Sequence, residues 1–389
     1  MKEVGENCKD KMKLLEKFKL LFINYHEVIF GFLLLSLGFD FITKTVNFYG
    51  FEIVKFSKFL KAIFLVYSLL FIIINFKYVY NKLRVPIVII IVLSVVFLLK
   101  NNFSENYMLE YIRYIFPLLA FPLMYFAYKN KGEKLLVKLY TLFKWLIFIN
   151  FLLVFFGLLF EIKIFDTYYA QRFGVNGFLL SQGFAPFFYL SATILFWEFN
   201  DKKMLLLVFI LCILSGVKGV YFGEFLLLSM LVFWSKKLSR GFKHVIIVIL
   251  SLVFFCLLLF LYSKPIFREV YDSDGILSAI FSYRNDYTVS LYKQITPDNY
   301  SLLIGATNLQ KLRLELQIID VILFFGLIGL ICYTVFLSWL YRSLVKTDVS
   351  KAFFISVVVL STLSGNLLYI PLSLMLMFLV LIALKKQGN

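Results

Sequence analysis

Apolar runs of roughly 18 residues or more recur along the whole chain, far more than a soluble core of this size could bury. Lipid supplies no partner for backbone N–H and C=O groups, so such runs are expected to cross the membrane as helices. Composition points the same way: of 389 residues, 61% are hydrophobic, 20% aromatic and only 16% charged. The expected fold class is therefore an all-α polytopic integral membrane protein. Hydrophobic runs at 20–42, 57–76, 84–99, 108–128, 139–160, 182–199, 203–216, 219–234, 244–262, 317–340, 352–366 and 369–384 predict about twelve transmembrane helices.

The formal net charge of +17 reads as membrane topology rather than nucleic-acid binding. Most Lys and Arg fall in alternate short loops, such as Lys129, Lys131, Lys134 and Lys138, or Lys236, Lys237, Arg240 and Lys243. The positive-inside rule assigns those loops to the cytoplasm. Both termini then lie inside. The chain divides into a basic cytoplasmic N-tail (1–19), transmembrane helices 1–9 (20–262), a large external loop (263–316), transmembrane helices 10–12 (317–384) and a cytoplasmic C-tail (385–389). The loop, about fifty residues long, exceeds a plain connection and is expected to fold as a functional cap. The four cysteines, Cys8, Cys212, Cys256 and Cys332, have neither disulfide nor zinc spacing.

Several polar features stand at the outer ends of these runs. They are Glu110 and Arg113 in Leu-Glu-Tyr-Ile-Arg-Tyr, Arg172 before the sixth run, Lys218 in Leu-Ser-Gly-Val-Lys-Gly, and Arg284 in Ser-Tyr-Arg. Glu110 and Arg113 have the spacing of a local helical pair. Arg172, Lys218 and Arg284 could converge on an anion, for which guanidinium suits bidentate phosphate contacts; separate solvation of each cation is the plainer reading. The break at 214–219 and another at 363–366 could be interrupted helices lining a cavity, or ordinary tight turns.

Two carboxylates, Glu315 and Asp320, sit where the long loop meets the next apolar run, and a carboxylate at membrane depth is a functional hypothesis by default. If the helix begins at Leu314, Asp320 lies about 7.5 Å deeper than Glu315 and on another face. Glu315 would then be placed to take a proton, while Asp320 orients a neighbour or pairs with a cation such as Arg284. Attraction of an acid to a helix N-terminus accounts for Glu315 equally well.

Taken in order, five stretches resemble the O-antigen and capsule polymerases (Wzy-type) and, more distantly, the O-antigen ligases. They are Arg113 with its Phe-Pro-Leu-Leu-Ala-Phe-Pro continuation, Arg172-Phe-Gly, Leu-Ser-Gly-Val-Lys218-Gly, Ser-Tyr-Arg284 with Leu303-Ile-Gly305, and Glu315 through Asp320 to Phe325-Gly326. Each motif is short; their order and placement carry the likeness.

The resemblance implies a glycosyltransferase-C-like membrane architecture in a bacterial cytoplasmic (inner) membrane, with the active site facing outward. The implied partners are undecaprenyl-pyrophosphate-linked oligosaccharides, membrane lipid and a possible chain-length regulator, with no nucleic acid. The implied reaction is inverting, metal-independent transfer of a growing glycan from its lipid carrier to an incoming repeat unit, without a cofactor. Glu315 would be the general base and Asp320 its support, with Arg113, Arg172, Lys218 and Arg284 binding pyrophosphate. In the ligases a His stands eleven residues before the Gly matching Gly326; here that position is Glu315, which favours polymerase over ligase. Many apolar runs and broken helices would also suit a lipid-linked oligosaccharide flippase or a non-enzymatic membrane scaffold.

Overall fold

Each of the twelve apolar runs contains a helix. The computed structural model describes residues 25–51, 56–168, 173–180, 182–236, 238–364 and 367–385. Fifteen α-helices lie among them: α1 (Tyr25–Phe48), α2 (Phe56–Ile74), α3 (Phe76–Lys82), α4 (Arg84–Leu99), α5 (Glu105–Tyr128), α6 (Gly132–Leu159), α7 (Ala185–Glu198), α8 (Lys202–Leu214), α9 (Lys218–Trp234), α10 (Arg240–Tyr262), α11 (Pro265–Phe281), α12 (Arg284–Gln294), α13 (Gln317–Leu344), α14 (Asp348–Ser364) and α15 (Pro371–Leu384). A small antiparallel hairpin, β1 (Tyr300–Ser301) with β2 (Gly305–Ala306), precedes α13.

Five helices, α1, α2, α6, α10 and α13, are long and apolar enough to cross a membrane, or six if α3 and α4, bent by 106°, form one span. That set fits a multi-pass membrane protein. Of the remaining helices, α5 has the length, 24 residues, but carries Glu105, Glu110 and Arg113, and the others are shorter, several of them surrounded by protein. All of α15 is buried, packed on α5, α6 and α7, and α7 is buried through Phe196. A 14-residue helix spans about 21 Å. By contrast α10, with only 6% of its most apolar window buried, packs chiefly on α9 and leaves Leu252, Phe255 and Leu259 exposed.

Two helix interruptions shape the end of the bundle where the polar motifs lie. Between α8 and α9 the chain turns at Gly216 (φ +66°), where the 173–175 segment crosses it: Val175 N–H donates to Leu214 O at 2.8 Å and the Thr167 hydroxyl to Ser215 O at 2.6 Å. Any Cβ at Gly216 would collide with the Phe173 carbonyl. Within α13, Gly326 adopts φ +65° and ψ −160°, a region open essentially to glycine. The break frees backbone donors, and the loop inside the hairpin takes them: Leu327 N–H donates to Leu302 O at 2.9 Å and Ile328 N–H to Leu303 O at 3.2 Å.

Candidate functional site

The turn that carries Glu315 is set before the helix, not within it. Leu316 is the N-cap of α13, and Glu315 lies in the left-handed region at φ +64°. The expected helical spacing of Glu315 and Asp320 therefore does not apply. Asp320, only 2% exposed, folds its carboxylate back: its Oδ1 accepts Leu314 N–H at 2.6 Å. That contact ties the Glu315 turn to the first turn of α13, and the helix dipole bears on Asp320 instead of Glu315.

Arg284, the first residue of α12, reaches Glu315. Its Nη2 donates to Glu315 Oε2 at 2.7 Å, so the cation expected for Asp320 is held by Glu315. Arg284 follows two non-glycine residues in left-handed conformation, Ser282 (φ +53°) and Tyr283 (φ +63°). Each such residue costs roughly 1–3 kcal/mol and persists only where its surroundings fix it. One of those surroundings is Lys218, at the start of α9. Its ammonium donates to Ala279 O at 2.6 Å and to the Ser282 hydroxyl at 3.1 Å, fastening the end of α11 to α9.

A second arginine completes the group. Arg313 Nη2 lies 3.8 Å from Glu315 Oε1, and its guanidinium stacks 3.4 Å from the centroid of the Tyr369 ring. Arg113 also stacks on Tyr369, at 4.5 Å, while its Nη1 pairs with Glu110 at 2.7 Å. Arg113 thus reaches the group through Tyr369.

Two clefts of similar size meet at this point. One, about 420 Å³, is lined by Lys218, Gln182, Ser364 and Tyr369. The other, about 400 Å³, is lined by Phe267, Tyr283, Tyr287 and Lys311. Ser282, Arg284, Arg313 and Glu315 line both. Each cleft therefore shows three cations against one carboxylate, a favourable setting for a polyanion.

Of the residues expected at the site, Lys218, Arg284 and Glu315 line one cleft together, Arg113 and Asp320 support its wall, and Arg172 lies outside the described residues. Arg313, Lys311 and Tyr369 join the site without having been singled out by their sequence context. A signal for the first two exists in Lys311-Leu-Arg313-Leu-Glu315, whose alternation puts the charges on one side of an extended chain. Leu312 and Leu314 are indeed buried. Tyr369 carries no comparable mark.

The chain contains one Asp-x-Asp of the kind that can hold a metal ion, Asp272-Ser273-Asp274 on α11. Its carboxylates have other partners: Asp272 faces Arg268 at 3.8 Å, and Asp274 accepts the Tyr283 hydroxyl at 3.2 Å. Among the described residues no group of three His, Cys, Asp or Glu side chains is arranged to hold a metal ion.

A third cleft, about 840 Å³ and lined by Trp197, Lys202, Trp234 and Asp348, lies at the far end of α7, α9 and α14. Pro186, Lys218 and Ser364, from the opposite ends of the same three helices, line the Tyr369 cleft. Comparison with protein-family models, with curated proteins and with solved structures gave no match to this chain.

Proposed function

We propose that this protein is a membrane glycosyltransferase of the Wzy type, a polymerase joining undecaprenyl-pyrophosphate-linked oligosaccharide repeat units into O-antigen or capsular polysaccharide. The observation that carries the reading is the position of Glu315: a carboxylate at the junction of two clefts, flanked by Arg284 and Arg313. A transferase joining two lipid-linked substrates requires a base between two spaces and cations where the leaving group departs.

In this reading about twelve helical segments make up the membrane domain, both termini lie in the cytoplasm, and the 263–316 segment caps the outer face of the inner membrane. The cluster of Lys202, Lys236, Arg240 and Lys243 at the far end of α8, α9 and α10 supports that orientation through the positive-inside rule.

The chemistry is nucleophilic substitution at an anomeric carbon. An acceptor hydroxyl oxygen forms the new C–O bond and its proton passes to Glu315. The bond between the anomeric carbon and the pyrophosphate oxygen breaks, and its electron pair leaves with the pyrophosphate. Arg284, Arg313 and Lys218 stabilise that developing charge, the largest catalytic contribution expected. Attack opposite the leaving group inverts the anomeric centre. Pyrophosphate is already a good leaving group, so the reaction needs no metal to activate it.

Deleting the gene and extracting lipid-linked oligosaccharides tests the proposal. A polymerase leaves single repeat units on undecaprenyl pyrophosphate at the outer face, and surface polymer reduced to one unit. Full-length polymer retained on undecaprenyl pyrophosphate would indicate a ligase instead, and single units trapped on the cytoplasmic face a flippase.

A further inference from the structure

We propose that the Arg284–Glu315 ion pair is a latch between the two clefts, opened when a prenyl-linked pyrophosphate enters the Lys218–Tyr369 cleft and draws Arg284 off the carboxylate. The inference rests on the polymerase reading and adds to it a rule for when the base becomes available.

Arg284 Nη2 and Glu315 Oε2 are 2.7 Å apart, and both residues line both clefts. While the pair is closed, the Arg284 donor that faces Glu315 is unavailable to phosphate, and the carboxylate oxygen it holds is less available to a hydroxyl proton. The pair is only part-buried, with side chains 22% and 43% exposed, so an entering anion can reach it. Arg284 Nε is buried and has no hydrogen-bond partner, leaving the guanidinium a reason to rotate. Arg284 follows a left-handed Ser282–Tyr283 turn, and Glu315 is itself left-handed. Lys218 fixes the first turn through Ser282 and Asp320 fixes the second through Leu314. The backbones are held while the side-chain contact between them can open.

A pyrophosphate offers Arg284 more negative charge and better bidentate geometry than one carboxylate. Arg313 stays beside Glu315 Oε1, so the carboxylate keeps one neighbouring cation after Arg284 leaves. The donor thereby uncovers the base on the side of the second cleft, where the acceptor hydroxyl would arrive. Such coupling would discourage transfer to water before both substrates are present.

The test is a double-mutant cycle on the detergent-purified full-length protein, read by calorimetric titration with inorganic pyrophosphate and with farnesyl pyrophosphate below its micellar concentration. Removing the competing carboxylate in Glu315→Gln is expected to tighten farnesyl pyrophosphate binding about ten-fold. Glu315→Asp, which keeps the charge on a shorter side chain, is expected to tighten it to a smaller extent. In an Arg284→Ala background the gain from Glu315→Gln should vanish. An equal gain in both backgrounds would mean that Glu315 acts only through its general negative field, and would overturn the latch. So would unchanged affinity in both Glu315 variants, or no binding by folded wild-type protein. Inorganic pyrophosphate binding more tightly than the farnesyl form would overturn the assignment to a lipid-borne anion. These titrations do not depend on polymer formation, so a failed latch and a failed polymerase reading give different results.

Discussion

The guanidinium of Arg313 lies 3.4 Å from the ring centroid of Tyr369, joining the loop before α13 to the residues just ahead of α15. Arg113 of α5 uses the same ring at 4.5 Å, so one aromatic side chain positions cations from two separate parts of the chain. Cation–π contacts at part-exposed sites contribute about 0.5–1 kcal/mol each. Tyr369→Ala should therefore weaken farnesyl pyrophosphate binding about five- to thirty-fold. Tyr369→Phe should keep most of the affinity, because the ring rather than the hydroxyl does the holding. Titration of the two purified variants checks this; equal losses would shift the role to the hydroxyl.

Glu315→Gln should lower polymer formation from purified lipid-linked repeat units by about a hundred-fold or more, the scale of general acid–base catalysis. The same substitution should leave the apparent melting temperature near that of the wild type, since Glu315 is part-exposed and Arg284 keeps its contact to Phe281 O. Polymer of normal length and rate from this variant would remove Glu315 from the chemistry.

The helical class is legible in the sequence because lipid imposes a simple rule: long apolar runs must satisfy their own backbone. What hydropathy cannot show is which helices are sheathed in protein, and α7 and α15 are as apolar as a span yet too short to rank among the long ones. Glu315 and Arg284 are readable as separate features, but their pairing spans 31 residues of sequence and depends on how the α11–α12 turn docks. The apolar run opens at residue 317, where α13 begins, but the left-handed turn at Glu315 escapes a sequence reading: Asp320 holds Leu314 N–H from inside the helix, a tertiary choice that propensity does not reveal. The glycine motifs prove to interlock in pairs: Phe173-Gly174 with Ser215-Gly216, and Leu303 to Gly305 with Phe324 to Gly326. Each looks weak alone because half of its meaning lies in the other segment.

Gly326→Ala tests the second of these crossings. A Cβ there would run into the Leu303 backbone, and φ +65° with ψ −160° excludes side chains in any case. The expected cost is about 2 kcal/mol or more, seen as a lower melting temperature in detergent together with lost polymer formation. Gly241→Ala is the matched control: a Cβ there meets nothing within 4 Å, so stability should hold or rise slightly. Equal melting temperatures for the two variants would show that the break in α13 tolerates a side chain.

Lys100 supplies a pH-dependent prediction from the same crossing. It lies just past the end of α4, 5% exposed, with its Nζ donating to Ala306 O at 3.1 Å and to Phe324 O, and 4.0 Å from the centroid of the Phe324 ring. Burial lowers its pKa from 10.5 to about 7. Between those values the unfolded chain binds a proton at this lysine that the folded chain does not, so unfolding takes up a proton and stability rises with pH. Below pH 7 both states are protonated and the burial penalty is fully present. Raising the pH from 6 to 9 should therefore increase the melting temperature relative to Lys100→Met, whose site cannot titrate. The substitution also leaves two carbonyls without their donor, at a cost of about 1–3 kcal/mol each if both stay buried. That loss is the same at every pH, so the melting temperature of the wild type relative to the variant should climb as the pH rises. A constant gap between the two proteins from pH 6 to pH 9 would show that Lys100 keeps its proton in the fold, held by the two carbonyls and the ring of Phe324.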